Sequence, residues 1–254
     1  MDRSLVLFAA LLAVSAYGQE PANARAYLNQ GVQAYKDARY PQAVEFFQKA
    51  VELDPNSKTA HLNLATAYMS QYIPGAESPE NARLAESAHD EFQAVLKLDP
   101  NDELATASIA SLYFNQKKLD EAKDWNKRLV AINPQNKDAY YTLGVIAWTE
   151  WLTPDRQARN QMDMRPEDPG PLRVDSVREQ LKEKYLPSLD EGIANMAKAL
   201  ALDKEYDDAM AYMNLLIRYR ADLLSTPEEY KQQIDIADGW IEKALATKKV
   251  KAAR

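Results

Sequence analysis

The sequence predicts an all-α protein built from repeated helical hairpins, and three observations carry this prediction. Apolar residues, many of them alanines, recur with helical spacing, whereas runs of alternating β-branched residues are few. The pattern of residues 24–57 returns four more times. Only 7 of the 254 residues are glycines, which fits the same class. Because one hairpin cannot bury its apolar face alone, we expect the copies to stack into one elongated domain, 19–254.

The first copy, 24–57, shows the pattern most clearly. An aromatic and a small residue mark its first helix, and a small residue, an aromatic ring and a closing proline mark its second: Tyr27, Gly31, Ala43, Phe47 and Pro55. This arrangement resembles the tetratricopeptide repeat, a helix-turn-helix unit of about 34 residues. The resemblance implies a right-handed α-α superhelix, or solenoid, of about five such repeats. Independently, the small residues at Gly31 and Ala43 allow two helices to approach closely.

Four further repeats follow, at about 58–102, 103–136, 137–206 and 207–247. In the second repeat, the second helix arrives late. It is announced by Ser78-Pro79-Glu80, which reads as an N-cap followed by proline at the first helical position. We therefore expect a long helix over residues 79–98.

The third and fifth repeats depart from the pattern. Asn126 stands where an aromatic or large apolar residue is usual, so either the contact is looser there or Trp125 turns inward. In the fifth repeat the first helix matches weakly, but a capping signal, Thr226 to Glu229, precedes the second. We expect no polar capping helix after this repeat. Either the last helix covers its own end or a second copy does, which makes a homodimer through the C-terminal repeat a prediction.

An insertion at 152–187 separates the two helices of the fourth repeat. Its first half, 152–176, is rich in prolines and charges, and we predict a loop. Residues 177–185 have helical spacing, and Pro187 either kinks this helix or starts the next one. Two interpretations stay open. The insertion is either a solvated surface excursion or a flap that folds over one surface and shapes a partner site.

The first eighteen residues are predicted to be a signal peptide. An apolar run from Leu5 to Ala16 follows Arg3, is too short to span a bilayer and ends at small residues, with cleavage expected after Gly18. An uncleaved anchor or an ordinary buried helix is the alternative, since Asp2 opposes Arg3. We therefore expect the mature chain, 19–254, to be periplasmic or secreted and to hold no stable membrane span.

The amino-acid composition limits the classes of partner that this chain can bind. The formal net charge is −7 and the pI is about 5.1, which argues against sequence-independent binding to nucleic acid or to anionic membranes. The chain has no cysteine, so it forms neither a disulfide nor a thiolate metal site. Protein partners are compatible with this composition.

The resemblance also implies a ligand site. In tetratricopeptide proteins the first helices of successive repeats line a concave groove that holds a peptide or helix. The matching positions here are mainly apolar and aromatic: Leu28, Tyr35, Leu62, Met69, Phe114, Tyr141, Trp148 and Arg218. The alternative is that these side chains pack between neighbouring repeats. Family members that clamp a carboxylate use lysine and asparagine, whereas Leu28, Val32 and Thr66 occupy those places, so that ligand mode is not expected.

No pattern indicates catalysis. There is no cysteine nucleophile, and the two histidines, His61 and His89, suggest neither a catalytic nor a metal site, so we expect no enzyme activity, cofactor or metal. The sequence favours a protein-binding scaffold or adaptor. Its resemblance to exported bacterial repeat proteins implies a place in the cell envelope. The alternative is a module that binds a small molecule or glycan under the insertion, where the candidates are Trp151, Arg156, Arg159 and Arg165.

Overall fold

The computed structural model describes residues 20–254, and within this range the secondary structure is entirely helical. The predicted all-α class is therefore confirmed. No helix in the described range is long and apolar enough to cross a membrane. The helices are α1 (Glu20–Lys36), α2 (Tyr40–Leu53), α3 (Lys58–Met69), α4 (Pro79–Leu98), α5 (Glu103–Asn115), α6 (Leu119–Ile132), α7 (Lys137–Gln161), α8 (Asp175–Leu202), α9 (Asp207–Ala221) and α10 (Pro227–Ala252).

These helices belong to two compact units, the first ending at Gln116 and the second spanning Lys117–Arg254. In the first unit α1 packs on α2 and α3 on α4, α2 also contacts α3, and α5 packs on α4. In the second, α6 packs on α7, and the pairs α7/α8 and α9/α10 are joined by contacts between α8 and α9. The predicted hairpins α1/α2, α3/α4, α7/α8 and α9/α10 are confirmed.

Small residues mark the closest helix contacts, as the repeat pattern predicts. Gly31 of α1 lies against the ring of Phe47 on α2, so close that a Cβ atom at this position would overlap the ring. Gly144 of α7 lies in the same way against Met196 of α8. Phe47 and Ala43 are buried. The absence of a side chain at Gly31 is therefore what lets an aromatic ring fill the centre of the first hairpin.

Helix starts follow the local capping signals. Ser78 accepts a hydrogen bond from the backbone N–H of Asn81, and α4 spans the predicted residues 79–98. At α10, Thr226 accepts from the N–H of Glu229, while the Glu229 carboxylate accepts from the N–H of Thr226. These reciprocal bonds satisfy backbone donors that the first turn of a helix leaves unpaired.

The predicted loop at 152–176 is wrong for its first ten residues. Helix α7 continues through Pro154 to Gln161, and the connection to α8 spans only residues 162–174. The buried residues Trp151, Asp155 and Ala158 follow helical spacing and form one covered face. Burial of this face outweighs the cost of an interior proline.

The second half of the insertion is helical, as predicted. Helix α8 begins at Asp175, two residues before the expected start, and continues through Pro187 instead of ending there. Pro187 is exposed, so the carbonyl that loses its partner can be hydrated. The insertion is therefore an extension of both helices of the fourth repeat, closed by a short connection.

Asn126 itself occupies the core position where the pattern expects an aromatic ring. It is 3% exposed and donates from Nδ2 to the carbonyl of Ala122 at 2.8 Å. Trp125 stays half-buried, with the Arg128 guanidinium 4.9 Å from its ring centroid. Trp125 does not replace the missing aromatic residue, and the backbone carbonyl satisfies the buried amide instead.

Candidate functional site

The predicted groove residues of the first unit lie on α1, α3 and α5. Leu28, Tyr35, Leu62, Met69 and Phe114 are all half-buried. Leu28 and Tyr35 pack against the core of the first hairpin. The Tyr35 hydroxyl also lies 2.9 Å from Ser70 Oγ at the end of α3. Part of each side chain therefore supports packing and part remains accessible, so both interpretations of these residues retain support.

In the second unit α7, α9 and the residue that precedes α9 form a continuous row of rings, here called the aromatic wall: Tyr141, Trp148, Tyr206 and Tyr212. Tyr141 stacks on Tyr206 with ring centroids 5.1 Å apart. Tyr212 meets Tyr141 edge to face at 5.5 Å and Trp148 in the same manner at 5.2 Å. All four rings are half-buried. Such contacts hold the rings in fixed orientations and leave part of each accessible.

Acidic groups surround the tyrosine end of the aromatic wall. The Tyr206 hydroxyl donates to Asp138 Oδ1 at 2.9 Å. Burial raises the pKa of Tyr206, and the bond to Asp138 raises it further. Burial likewise raises the pKa of Tyr141, with added contributions from Tyr212 and the Asp208 carboxylate. Both hydroxyls therefore stay protonated across the physiological range, as donors in a negative environment.

The polar groups of Arg218 and Trp148, on α9 and α7, differ in exposure and in hydrogen bonding. The Arg218 guanidinium of α9 forms an ion pair with Asp238 of α10, and both side chains are accessible. The indole Nε1 of Trp148 is buried and has no hydrogen-bond acceptor among the described residues. An unpaired buried donor costs about 1 to 3 kcal/mol. Trp148 is thus a predicted groove residue with a buried, unused donor.

The insertion candidates do not meet at an open surface. Trp151 is 0% exposed and contacts the ring of Tyr185 at 5.4 Å between centroids. Arg165 is exposed and pairs with Asp168 and Glu167 within its own connection. Arg156 is exposed on α7. An open depression along α8 is lined by other side chains.

Arg159 is the centre of a buried polar network. Its Nη2 donates to Asp222 Oδ2 at 2.6 Å and its Nε to Asp155 Oδ1 at 3.2 Å. Its Nη1 donates to the backbone carbonyls of Arg165 at 3.3 Å and Asp168 at 3.0 Å. One guanidinium therefore joins α7, the 162–174 connection and the end of α9. Four of its five N–H donors are occupied and the residue is 6% exposed, so Arg159 is not available to bind a ligand.

The two carboxylates of this network share one cation. Burial raises the pKa of Asp222 to about 6, although the Arg159 guanidinium lowers it, and the nearby Asp155 raises it further. Burial also raises the pKa of Asp155. The connection closes over this pair, because the N–H of Leu172 donates to the carbonyl of Asp222 at 2.9 Å. Leu172 itself is fully buried. The connection is thus packed against the last repeat.

Neither histidine forms a metal site. His61 is 7% exposed, and its two ring nitrogens lie 2.5 Å from the Glu91 carboxylate and 3.0 Å from the carbonyl of Pro55. His89 packs edge to face on Tyr113 at 5.6 Å. Among the residues that the structure describes, no group of three or more metal-ligating side chains converges.

Sequence reasoning missed Tyr206, Tyr212 and Asp222. Tyr212 directly follows Ala211, which occupies the place in the fifth repeat that Leu28 and Tyr141 occupy in the first and fourth, so its position beside a groove residue could have identified it. Tyr206 precedes α9, where the repeat pattern specifies no groove residue. Asp222 follows α9, and no local pattern connects it with α7.

Comparison with known families and structures identifies the repeats. Two tetratricopeptide-repeat family models match residues 24–57 and 78–145. A MamA crystal structure superposes with a TM-score of 0.60 at 19% identity, covering 93% of this chain and 96% of that one. MamA residues 41 to the end from Desulfovibrio magneticus RS-1 give a TM-score of 0.58 at 18% identity, covering 90% and 96%.

A third structure, YrrB, is described as a tetratricopeptide-repeat protein with an unusual peptide-binding site. It matches with a TM-score of 0.56 at 17% identity, covering 92% of this chain and 94% of YrrB. At these identities the likeness concerns the fold. A search of curated proteins finds no significant relative.

Proposed function

Because this chain is a tetratricopeptide-repeat protein, we propose that it is a non-catalytic scaffold that binds a peptide or helix of a partner protein. The observation that carries the proposal is the aromatic wall. Its four rings are ordered by contacts between 5.1 and 5.5 Å and remain partly accessible. Large, rigid, half-exposed rings are the side chains that most often dominate binding energy.

The unused donor of Trp148 supports the same interpretation. Its indole N–H has no acceptor among the described residues. A partner's backbone carbonyl could accept this hydrogen bond after a small movement of the covering side chains, and that would remove the cost of an unpaired donor. YrrB, a structure of similar fold, is described as having a peptide-binding site, which agrees with a peptide as ligand here.

The half-buried residues of the first unit form a second candidate surface. Leu28, Tyr35, Leu62, Met69 and Phe114 are the groove positions there. Thioether and aromatic side chains adapt to partners of different shape. We propose that this surface also contacts protein.

Export to the cell envelope is part of the proposal. The leader 1–18 lies outside the described residues, so the evidence for export is the apolar run and small residues of the sequence itself. N-terminal sequencing of the protein from a periplasmic fraction should begin at Gln19. Recovery of intact Met1 in the cytosolic fraction would refute export.

Crosslinking in the source cells tests the scaffold. A tagged full-length protein would be compared with a Trp148→Ala/Tyr212→Ala variant and with a Tyr35→Ala/Phe114→Ala variant. Loss of a defined crosslinked protein in the first variant would assign it to the aromatic wall. Loss in the second would assign it to the first unit.

The control removes aromatic rings elsewhere. Trp125 and Trp240 are half-buried on α6 and α10, so a Trp125→Ala/Trp240→Ala variant should retain the partner. Circular dichroism would show that each variant is helical. If all variants capture the same proteins as wild type, neither surface is the binding site.

No specific observation favours the alternative function, binding of a small molecule or glycan under the insertion. Two of its four candidate residues, Trp151 and Arg159, are buried, and Arg165 is already paired. We therefore propose a structural role for the insertion. It encloses the Arg159 network and fixes the end of α9.

A further inference from the structure

Resting on the proposed function, we infer that the aromatic wall recognises a basic segment of its partner. In that segment a lysine or arginine would lie beside an apolar or aromatic residue. The apolar or aromatic side chain would pack on the aromatic wall. The cation would bind at the tyrosine end of the wall, between Asp138 and Asp208.

The charges at that end carry the inference. Neighbouring carboxylates already have cationic partners, since Asp203 pairs with Lys137, Glu205 with Arg254 and Asp207 with Lys251. Asp138 and Asp208 are exposed and, among the residues that the structure describes, neither forms an ion pair. Two carboxylates beside the tyrosines are thus outside the local ion pairs, and the Lys248 ammonium acts on Asp207.

Both carboxylates act on the aromatic wall directly. Asp138 accepts the hydroxyl of Tyr206 at 2.9 Å, and the charge of Asp208 raises the pKa of Tyr141 and Tyr206. The rings themselves accept a cation. The Lys137 ammonium lies 4.9 Å from the ring centroid of Tyr206. This contact shows that a tyrosine face of the wall accepts a cation. Lys137 occupies that face, so a partner's cation is placed at the two unpaired carboxylates instead.

The opposite charge on a partner is disfavoured. A carboxylate at this end would meet the charges of Asp138 and Asp208, because Lys137, which also interacts with Asp138, forms its ion pair with Asp203. The whole chain carries a formal net charge of −7, which attracts basic partners and repels acidic ones at a distance. Charge complementarity therefore selects a basic ligand over an acidic or neutral one.

Selection from a phage-displayed library of random peptides, about a dozen residues long, tests this with the intact chain from Gln19 onward. Selections would use wild type, Asp138→Asn/Asp208→Asn, Trp148→Ala, and the control Asp163→Asn/Asp235→Asn, which changes two exposed carboxylates elsewhere. Wild type and control should enrich lysine or arginine next to aromatic or apolar residues. The Asp138→Asn/Asp208→Asn variant should keep the apolar preference and lose the basic one. Fluorescence anisotropy of a selected peptide should weaken about threefold to tenfold in that variant and with added salt.

The outcomes separate two failures. Selected peptides that are neutral or acidic, or a basic preference that persists in the Asp138→Asn/Asp208→Asn variant, would overturn the inference while leaving peptide binding in place. Equal enrichment on wild type and the Trp148→Ala variant would overturn the proposed binding site, and the inference with it.

Discussion

Arg159 and Asp222 are 63 positions apart in the sequence, yet their side chains meet in a buried ion pair of 2.6 Å. Arg159 lies in the part of α7 that extends beyond the repeat, and Asp222 follows the end of α9. The contact fixes the inserted segment to the last repeat. It also places a titratable carboxyl where solvent cannot reach it.

Removal of Arg159 should be strongly destabilising. The variant Arg159→Met leaves Asp155 and Asp222 buried without their cation, and we expect a loss of about 3 to 5 kcal/mol in the free energy of unfolding. Urea denaturation followed by circular dichroism measures it. Arg156→Met, on an exposed position of the same helix, is the control and should change stability by less than about 0.5 kcal/mol. Equal effects of the two substitutions would show that the network contributes nothing.

Asp222 should make stability depend on pH. Its raised pKa of about 6 means that the folded protein holds this proton at pH values where the unfolded chain has released it. Its contribution is therefore largest below the unfolded pKa and is lost as the pH rises through about 6. The stability difference between wild type and Asp222→Asn should fall by about 2 kcal/mol from about pH 4.5 to 7.

The control for this titration is Asp235→Asn, at an exposed carboxylate of α10. Its difference from wild type should stay nearly constant over the same range. A difference for Asp222→Asn that rises with pH would mean that the folded state favours the ionised carboxylate, contrary to the burial described above.

Gly31 should tolerate no side chain. Leucine there would overlap the Phe47 ring and overpack the first hairpin, at a cost of about 1 to 3 kcal/mol. Gly239→Ala is the matched control, because a Cβ at that position meets nothing within 4 Å. Alanine is the better helix former, so this control should be neutral or stabilising by up to about 1 kcal/mol. Thermal melting compares the two, and an unchanged Gly31→Leu protein would contradict the close contact.

The last helix should mediate self-association. Ile236 is 50% exposed and Val250 is 51% exposed, and their spacing of two heptads places them on one side of α10. Replacing both with glutamate should weaken any dimer at least about tenfold. Sedimentation velocity over a concentration series measures it. Leu104→Glu, at an exposed apolar position on α5, should have no such effect. A wild-type protein that is monomeric at every concentration would refute this proposal.

The sequence by itself determined the helical repeats, because their signals are local. The small residue at Gly31, the N-cap at Ser78 and the capping box at Thr226 each act within one hairpin. Asn126 shows the limit of this reasoning. The sequence identified it as a departure from the repeat pattern, but not the hydrogen bond from its buried side-chain amide to the carbonyl of Ala122.

Only the tertiary structure decided the insertion and the arrangement of the candidate site. Local chemistry made residues 152–161 look like a loop, but burial of Trp151 and the Arg159 network keeps them helical. Tyr141 and Trp148 were identified from the sequence as separate groove positions. Their assembly into a wall depends on Tyr206, at the end of the same repeat, and on Tyr212 of the next repeat. A repeat pattern specifies which residues share a helix face, whereas contacts between distant helices depend on how those faces pack.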